Sequence, residues 1–395
     1  MMSKEIIHQQ IDEMASELFA LSDFIHANPE LGHQEFQAQA RLVKEFQGRG
    51  FEVETGIGGF PTSFKATLPQ RNSGPTVAFV AEYDALPGLG HGCGHNLISA
   101  AALGAATVLK GMIDAGELSG NVLAVGTPGE EVPPGTKGVM VEKGVFDDVD
   151  VAMITHAKDR THTGGQLRAM NAIKFHFKGR PSHAAASPEK GISALDAALL
   201  TVHAIELLRE HVRDDVRIHG IITEGGEAPN IVPERASLYY YIRALDRPCL
   251  EQVVARVENC ARAGALATGA EVTIENLGSS DSRLNVETLN NLLLENARQA
   301  GARRILPPPS GFGSADFGNV THRLPAATLY VELIPEGTSL HTAEAAEAAG
   351  GEAGHHVVRV GAKAMACTAY ELLSQEDLLA RIKDEFVEVE AGSVV

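Results

Sequence analysis

Basic charge is in deficit in this chain. It has 33 lysines and arginines against 51 aspartates and glutamates, a formal net charge of −18 at pH 7. That balance excludes nucleic acid and anionic membrane as partners, since both repel an acidic surface. It does not exclude an anionic small substrate, because a pocket can be locally basic. Cysteine is also scarce. Cys93, Cys249, Cys260 and Cys367 are scattered without the spacing of a disulfide framework, so a cytoplasmic, reducing location is expected. Long apolar runs are missing too. The longest, Leu97–Leu109, falls short of the ~20 residues that span a bilayer, and Met1-Met2-Ser3-Lys4-Glu5 leads into no apolar signal core. No internal repeat or low-complexity linker is found. What remains is 44% hydrophobic and 21% charged, the composition of a soluble globular protein. At 395 residues the chain exceeds one ordinary core, and two domains are expected.

The chain is organised around Gly90-His91-Gly92-Cys93-Gly94-His95-Asn96. A thiol and an imidazole stand between glycines that clear side chains from the approach. The apolar run Thr76–Ala81 before it predicts a buried strand, and Leu97–Leu109 after it predicts a helix. Cys93 and His95 therefore sit at the carboxyl end of a strand, where open α/β sheets place their chemistry. Three more strand ends carry similar residues. Asn121–Pro128 delivers Glu130 and Glu131 in a Gly/Pro loop. The strand 148–155 ends at His156, and the strand 326–334 is followed by His341. One thiolate, three imidazoles and a carboxylate suit zinc, manganese or cobalt, with one carboxylate left for acid–base work. A dinucleotide site is disfavoured, because Cys93 stands where the third fingerprint glycine belongs.

Around this core, residues 3–21 predict a helix, 26–32 a turn, and a further helix runs through Phe46. His26 and His33 read as helix-end and turn residues. Short strands are predicted at 51–55 and 63–68, and a last helix at 344–373. The acidic tail after Ser374 is expected to be partly frayed. The middle of the chain alternates differently. Strands at 172–179, 217–223, 236–243 and 271–277 and helices at 192–209 and 249–268 give the order βαββαβ, a ferredoxin-like unit. The expected layout is a discontinuous domain, 1–168 and 283–395, with 169–282 inserted. The insert carries His183 after a strand, Asn230 in a Gly/Pro loop and Arg243 at a strand end.

Five motifs resemble family 20 of the metallopeptidases, the aminoacylase and carboxypeptidase-G group of dinuclear amidohydrolases. They are Asp84-Ala85-Leu86-Pro87, Gly92-Cys93-Gly94-His95, Pro128-Gly129-Glu130-Glu131, Ser182-His183-Ala184 and Asn230-Ile231-Val232-Pro233. Gly90–Asn96 and Gly313–Val320 resemble the Cys-ligand branch of β-alanyl-lysine dipeptidase-like proteins and p-aminobenzoyl-glutamate hydrolases. The resemblance implies a mixed-sheet α/β catalytic domain with an inserted ferredoxin-like lid that also forms a homodimer, or a higher oligomer. It implies one or two divalent ions, Zn, Mn or Co, on Cys93, His95, Glu131, His156 and His341, with Cys93 as a bridge and Asp84 supporting them. Glu130 would be the general base, His183 would stabilise the oxyanion, and Asn230 and Arg243 would contact substrate. The implied reaction is hydrolysis of a small-molecule amide, a dipeptide or N-acyl amino acid with a free carboxylate. A non-catalytic binding or partner subunit is the alternative, and a cysteine-nucleophile hydrolase is weaker, since it leaves Glu130, Glu131 and His341 without a role. Two departures stand out. Asn96 replaces the Asp of many relatives, which is expected to lower the charge near the metals. Glu82 replaces a ligand His of other branches, which bears on whether two ions bind tightly.

Overall fold

The computed structural model describes residues 2–133, 135–310 and 313–393; Met1, Pro134, Gly311, Phe312, Val394 and Val395 lie outside them. The chain divides into two compact units, Met1–Gly165 with Arg283–Phe312 and Asn319–Val395, and Gln166–Ser282 with Gly313–Gly318. The short stretch 313–318, which the sequence places with the first domain, groups with the second unit.

The first unit is built on a seven-stranded mixed sheet. Its centre is four adjacent parallel strands in the order Asn121–Gly126, Thr76–Ala81, Val151–Lys158, Ala326–Glu332. The first two are buried along their whole length, as their unbroken apolar sequence requires. Glu52–Thr55, Phe64–Thr67 and His162–Thr163 extend the sheet antiparallel at its rims. The helix His95–Asp114 is apolar on nearly every side and packs against Glu352–Ser374 and Ala15–Ala27. It is longer than the predicted 97–109, with 20 residues, and is long and apolar enough to cross a membrane by length and composition. Since 83% of its apolar window is buried inside the fold, it is a core helix.

Two predicted helices are divided. The break at Met14 separates Met2–Glu13 from Ala15–Ala27. Gly350 and Gly351 separate Ala343–Ala349 from Glu352–Ser374; a Cβ on Gly350 would lie 2.5 Å from the His26 ring. The tail is not frayed. Glu376–Ser393 is a helix that buries Leu379, Ile382 and Phe386 in the main core, and Glu385 accepts the Glu287 N–H at 2.6 Å. Apolar residues at that spacing form one helical face, which composition alone conceals.

The second unit is a four-stranded antiparallel sheet in the order Glu271–Ser280, Ala169–Lys178, Arg235–Ala244, Arg217–Glu224. Its helices are Ala194–Leu208 and Arg247–Thr268, giving the βαββαβ order expected. Ile173, Phe175, Leu238, Ile242, Val253 and Val257 form its core.

A candidate metal centre

Each central strand brings its residues to one end of the sheet. Gly94, in the left-handed conformation at φ 79°, turns the chain so that His95 opens its helix. His156 lies inside its strand, not just past the end as predicted. His341 adopts φ 64°, which is uncommon for a residue with a Cβ, and its N–H donates to Gly92 O at 3.0 Å. Gly129 needs its φ of 67° and its missing side chain, because a Cβ there would meet the His33 ring at 2.5 Å. That fold of the loop presents Glu130 and Glu131.

Three groups of ligand-type atoms result, each within 4.8 Å: Cys93, His95 and His156; Cys93, Glu131 and His341; His95, Glu130 and Glu131. The hydrogen bonds set the tautomers. His95 Nδ1 donates to Asp84 Oδ1 at 2.8 Å, and His156 Nδ1 donates to Ala157 O at 2.7 Å. Both rings therefore turn Nε2 inward, His156 Nε2 lying 3.6 Å from Cys93 Sγ. Asp84 Oδ2 accepts the Glu131 N–H at 2.9 Å, so one carboxylate braces two candidate ligands. Burial works against ionising Asp84, yet the adjoining His95 holds it down to about 2. Burial and the His95 charge hold His156 at about 4, leaving it neutral near pH 7. Burial pushes the Cys93 thiol far up.

The donor set fits a divalent cation. His95 Nε2 is buried without a hydrogen-bond partner and lies 3.9 Å from Glu131 Oε1, which also faces His341 Nε2 at 3.1 Å. Burial alone would lower the His95 pKa, but the Asp84 carboxylate beside it raises it well above the ordinary value, so a cation at Nε2 would take the place of the ring's second proton. A cation there satisfies the buried nitrogen, and thiolate, imidazole and carboxylate are its usual ligands.

Residues 74–369 match Peptidase family M20/M25/M40. The chain belongs to this family. It is 36% identical to the Xaa-Arg dipeptidase of Mus musculus over 96% of this chain and 90% of that protein. It is 30% identical to a p-aminobenzoyl-glutamate hydrolase chain of Escherichia coli over 93% and 92%. Among solved structures, an aminobenzoyl-glutamate utilization protein from Klebsiella pneumoniae has TM-score 0.76 at 21% identity, covering 93% of this chain and 99% of that one. A dinuclear metal-binding M20 peptidase from Bacillus subtilis has TM-score 0.64 at 20% identity over 91% and 99%. These two show the fold. The M20 chain is thus a divalent-metal-dependent hydrolase of amide bonds, and the family, fold class and reaction class read from its motifs stand.

The remaining residues named from sequence in this M20 hydrolase lie in the second unit. The exposed His183 accepts N–H groups of Ala185 and Ala186 at Nδ1, at 3.3 and 3.2 Å, so its Nε2 carries the proton when the ring is neutral. The Ala184 N–H donates to Asn230 O at 2.9 Å, which sets His183 and Asn230 side by side. Arg243 donates to Ser314 Oγ at 3.3 Å and lies over the Tyr241 ring.

Asn96, the residue after His95, is fully buried. Its amide donates to Ser22 Oγ at 2.9 Å and Ala349 O at 3.0 Å, so it fastens helices and not a metal ligand. Sequence reasoning missed Glu35. Fully buried, it accepts the Gly129 N–H at 2.7 Å and the Thr62 hydroxyl at 2.8 Å, and so holds the loop bearing Glu130 and Glu131. Burial, with the Asp84 charge adding to it, raises its carboxyl to about 7. The available signal is an acidic residue just before a predicted helix, which reads as an ordinary capping position.

Proposed function

We propose that this M20 hydrolase cleaves the amide bond of a small dipeptide or N-acyl amino acid with a free carboxylate. Cys93, His95, Glu131, His156 and His341 hold one or two divalent ions, Zn, Mn or Co. The observation that carries the reading is that Cys93 belongs to two ligand groups, one with His95 and His156 and one with Glu131 and His341. A Cys93 common to both groups would contribute to holding an ion in either. A divalent cation held there supplies Lewis acidity, acidifying a water and polarising the amide carbonyl.

Glu130 takes a proton from the attacking water at its carboxylate and returns it to the leaving amine. His183, with its Nε2 proton, is suited to the oxyanion; loss of one such donor costs ~2.7–4 kcal/mol. Arg243 offers a planar two-pronged donor for the substrate carboxylate, and Asn230 an amide. The names of the relatives, a dipeptidase and an aroyl-glutamate hydrolase, support that substrate class. An intact Glu130 weighs against a non-catalytic subunit.

A homodimer through the second unit is part of the proposal. Arg217–Glu224 is an edge strand, and it leaves Ile221 63% and Ile222 48% exposed. A cytoplasmic setting is proposed as well, because a ligand Cys93 must stay reduced.

The test is a panel of β-alanyl-lysine, p-aminobenzoyl-glutamate, N-acetyl amino acids and simple dipeptides, assayed after chelation with zinc, manganese or cobalt restored. Metal-dependent cleavage of an acid substrate, with most of kcat/KM lost when its carboxylate is amidated, is expected. Full activity in metal-free protein, or no cleavage with any metal, overturns the proposal.

A further inference from the structure

We propose that Glu82 and Lys137 form a charge pair that sets how tightly the centre holds a cation on its His95 side. The proposal rests on the metal-centre reading above. Glu82 is 3% exposed and Lys137 is fully buried. Lys137 Nζ lies 2.7 Å from Glu82 Oε1, and the other oxygen, Oε2, lies 3.4 Å from His95 Nε2. Glu82 thus faces a lysine on one side and, on the other, the Nε2 through which His95 would hold a cation. Around that atom stand carboxylate oxygens of both Glu82 and Glu131. An ion on His95 Nε2 would therefore meet the Glu82 carboxylate directly, and Lys137 through it.

Packing gives little reason for such a pair. A buried ion pair is often matched or bettered by apolar residues of similar volume, because two charges lose their hydration. Lys137 also sits in the first turn of the helix Thr136–Glu142, where a cation opposes the helix dipole. Both costs are met where the pair tunes a neighbouring charge. Glu82 adds a negative oxygen facing the cation, and Lys137 moderates it. This assigns a role to the residue that stands where other branches carry a ligand His.

The experiment measures binding of Mn²⁺ and Co²⁺ by calorimetry and equilibrium dialysis, and the visible absorption of the cobalt form, with no substrate present. E82Q should bind ~10–100-fold more weakly, the range for residues that support metal ligands. K137M should shift the other way, about tenfold tighter, because a like charge nearby is gone. The double variant E82Q/K137M should return toward wild type. Opposite shifts support the pair as a charge-setting device. Shifts in the same direction, or unchanged binding in E82Q, overturn it. If K137M does not fold, the double variant decides: recovery over E82Q supports the pair, and equality with E82Q removes Lys137 from it. Wild type that binds no ion overturns the metal-centre reading itself, a separate result.

Discussion

Asp84 accepts the Nδ1 proton of His95 at 2.8 Å while its second oxygen holds the Glu131 backbone at 2.9 Å. One side chain therefore fixes the ring of one candidate ligand and the loop of another. Asp84→Asn keeps the shape but leaves one carbonyl oxygen for two donors. Metal affinity is expected to fall ~10–100-fold, measured by calorimetry. An unchanged dissociation constant would show that the brace does not support the ligands.

The adjacent carboxylates should separate by measurement. Glu130→Gln should retain bound metal and lose at least ~10²-fold in kcat, since only the proton carrier is gone. Glu131→Gln should lose metal, as read by elemental analysis of dialysed protein. The reverse pattern would show that the two roles are exchanged.

Glu35 makes stability depend on pH with a defined sign. Its folded carboxyl titrates at about 7 against an ordinary 4.5, chiefly through burial. Between those values the folded state binds more protons than the unfolded one, so stability falls as pH rises through that window. A shift of this size corresponds to about 3 kcal/mol at most. Glu35→Gln, which can still accept the Gly129 N–H, should flatten that decline. Urea denaturation at pH 5 and pH 8 checks it. Parallel slopes in variant and wild type would mean that Glu35 titrates normally.

The terminal helix should contribute to global stability. Ile382 is fully buried in the main core. Ile382→Ala should destabilise by ~2–5 kcal/mol, measured as a lower urea midpoint with an unchanged slope. A loss under about 0.5 kcal/mol, the range of surface substitutions, would return the segment to a frayed tail.

Much of the centre was legible because its parts are local. Strand runs such as Thr76–Ala81 announce themselves through unbroken apolar residues, and the chemistry follows within a few positions, at Cys93, His95, Glu130 and Glu131. The ferredoxin-like order of the second unit was readable for the same reason: period and turn residues are short-range signals. His156 was harder to place. Its strand runs three residues beyond the expected end, where His156, Ala157 and Lys158 pair with Tyr330, Val331 and Glu332.

By itself, the sequence determined which chemical groups are available and at which strand ends they stand. Only the tertiary structure decided how they are shared and charged. Cys93 joins two ligand groups because four strands, far apart in sequence, lie side by side in parallel. Glu35 reaches Gly129 across 94 positions, and Lys137 meets Glu82 from a separate helix. Asn96, read from sequence only as a missing charge near the metals, sends its amide to Ser22 and Ala349. Local pattern follows from backbone geometry over a few residues. The ionisation and partners of a buried group depend on whatever folding brings within a few ångströms of it, and no short stretch of sequence contains that information.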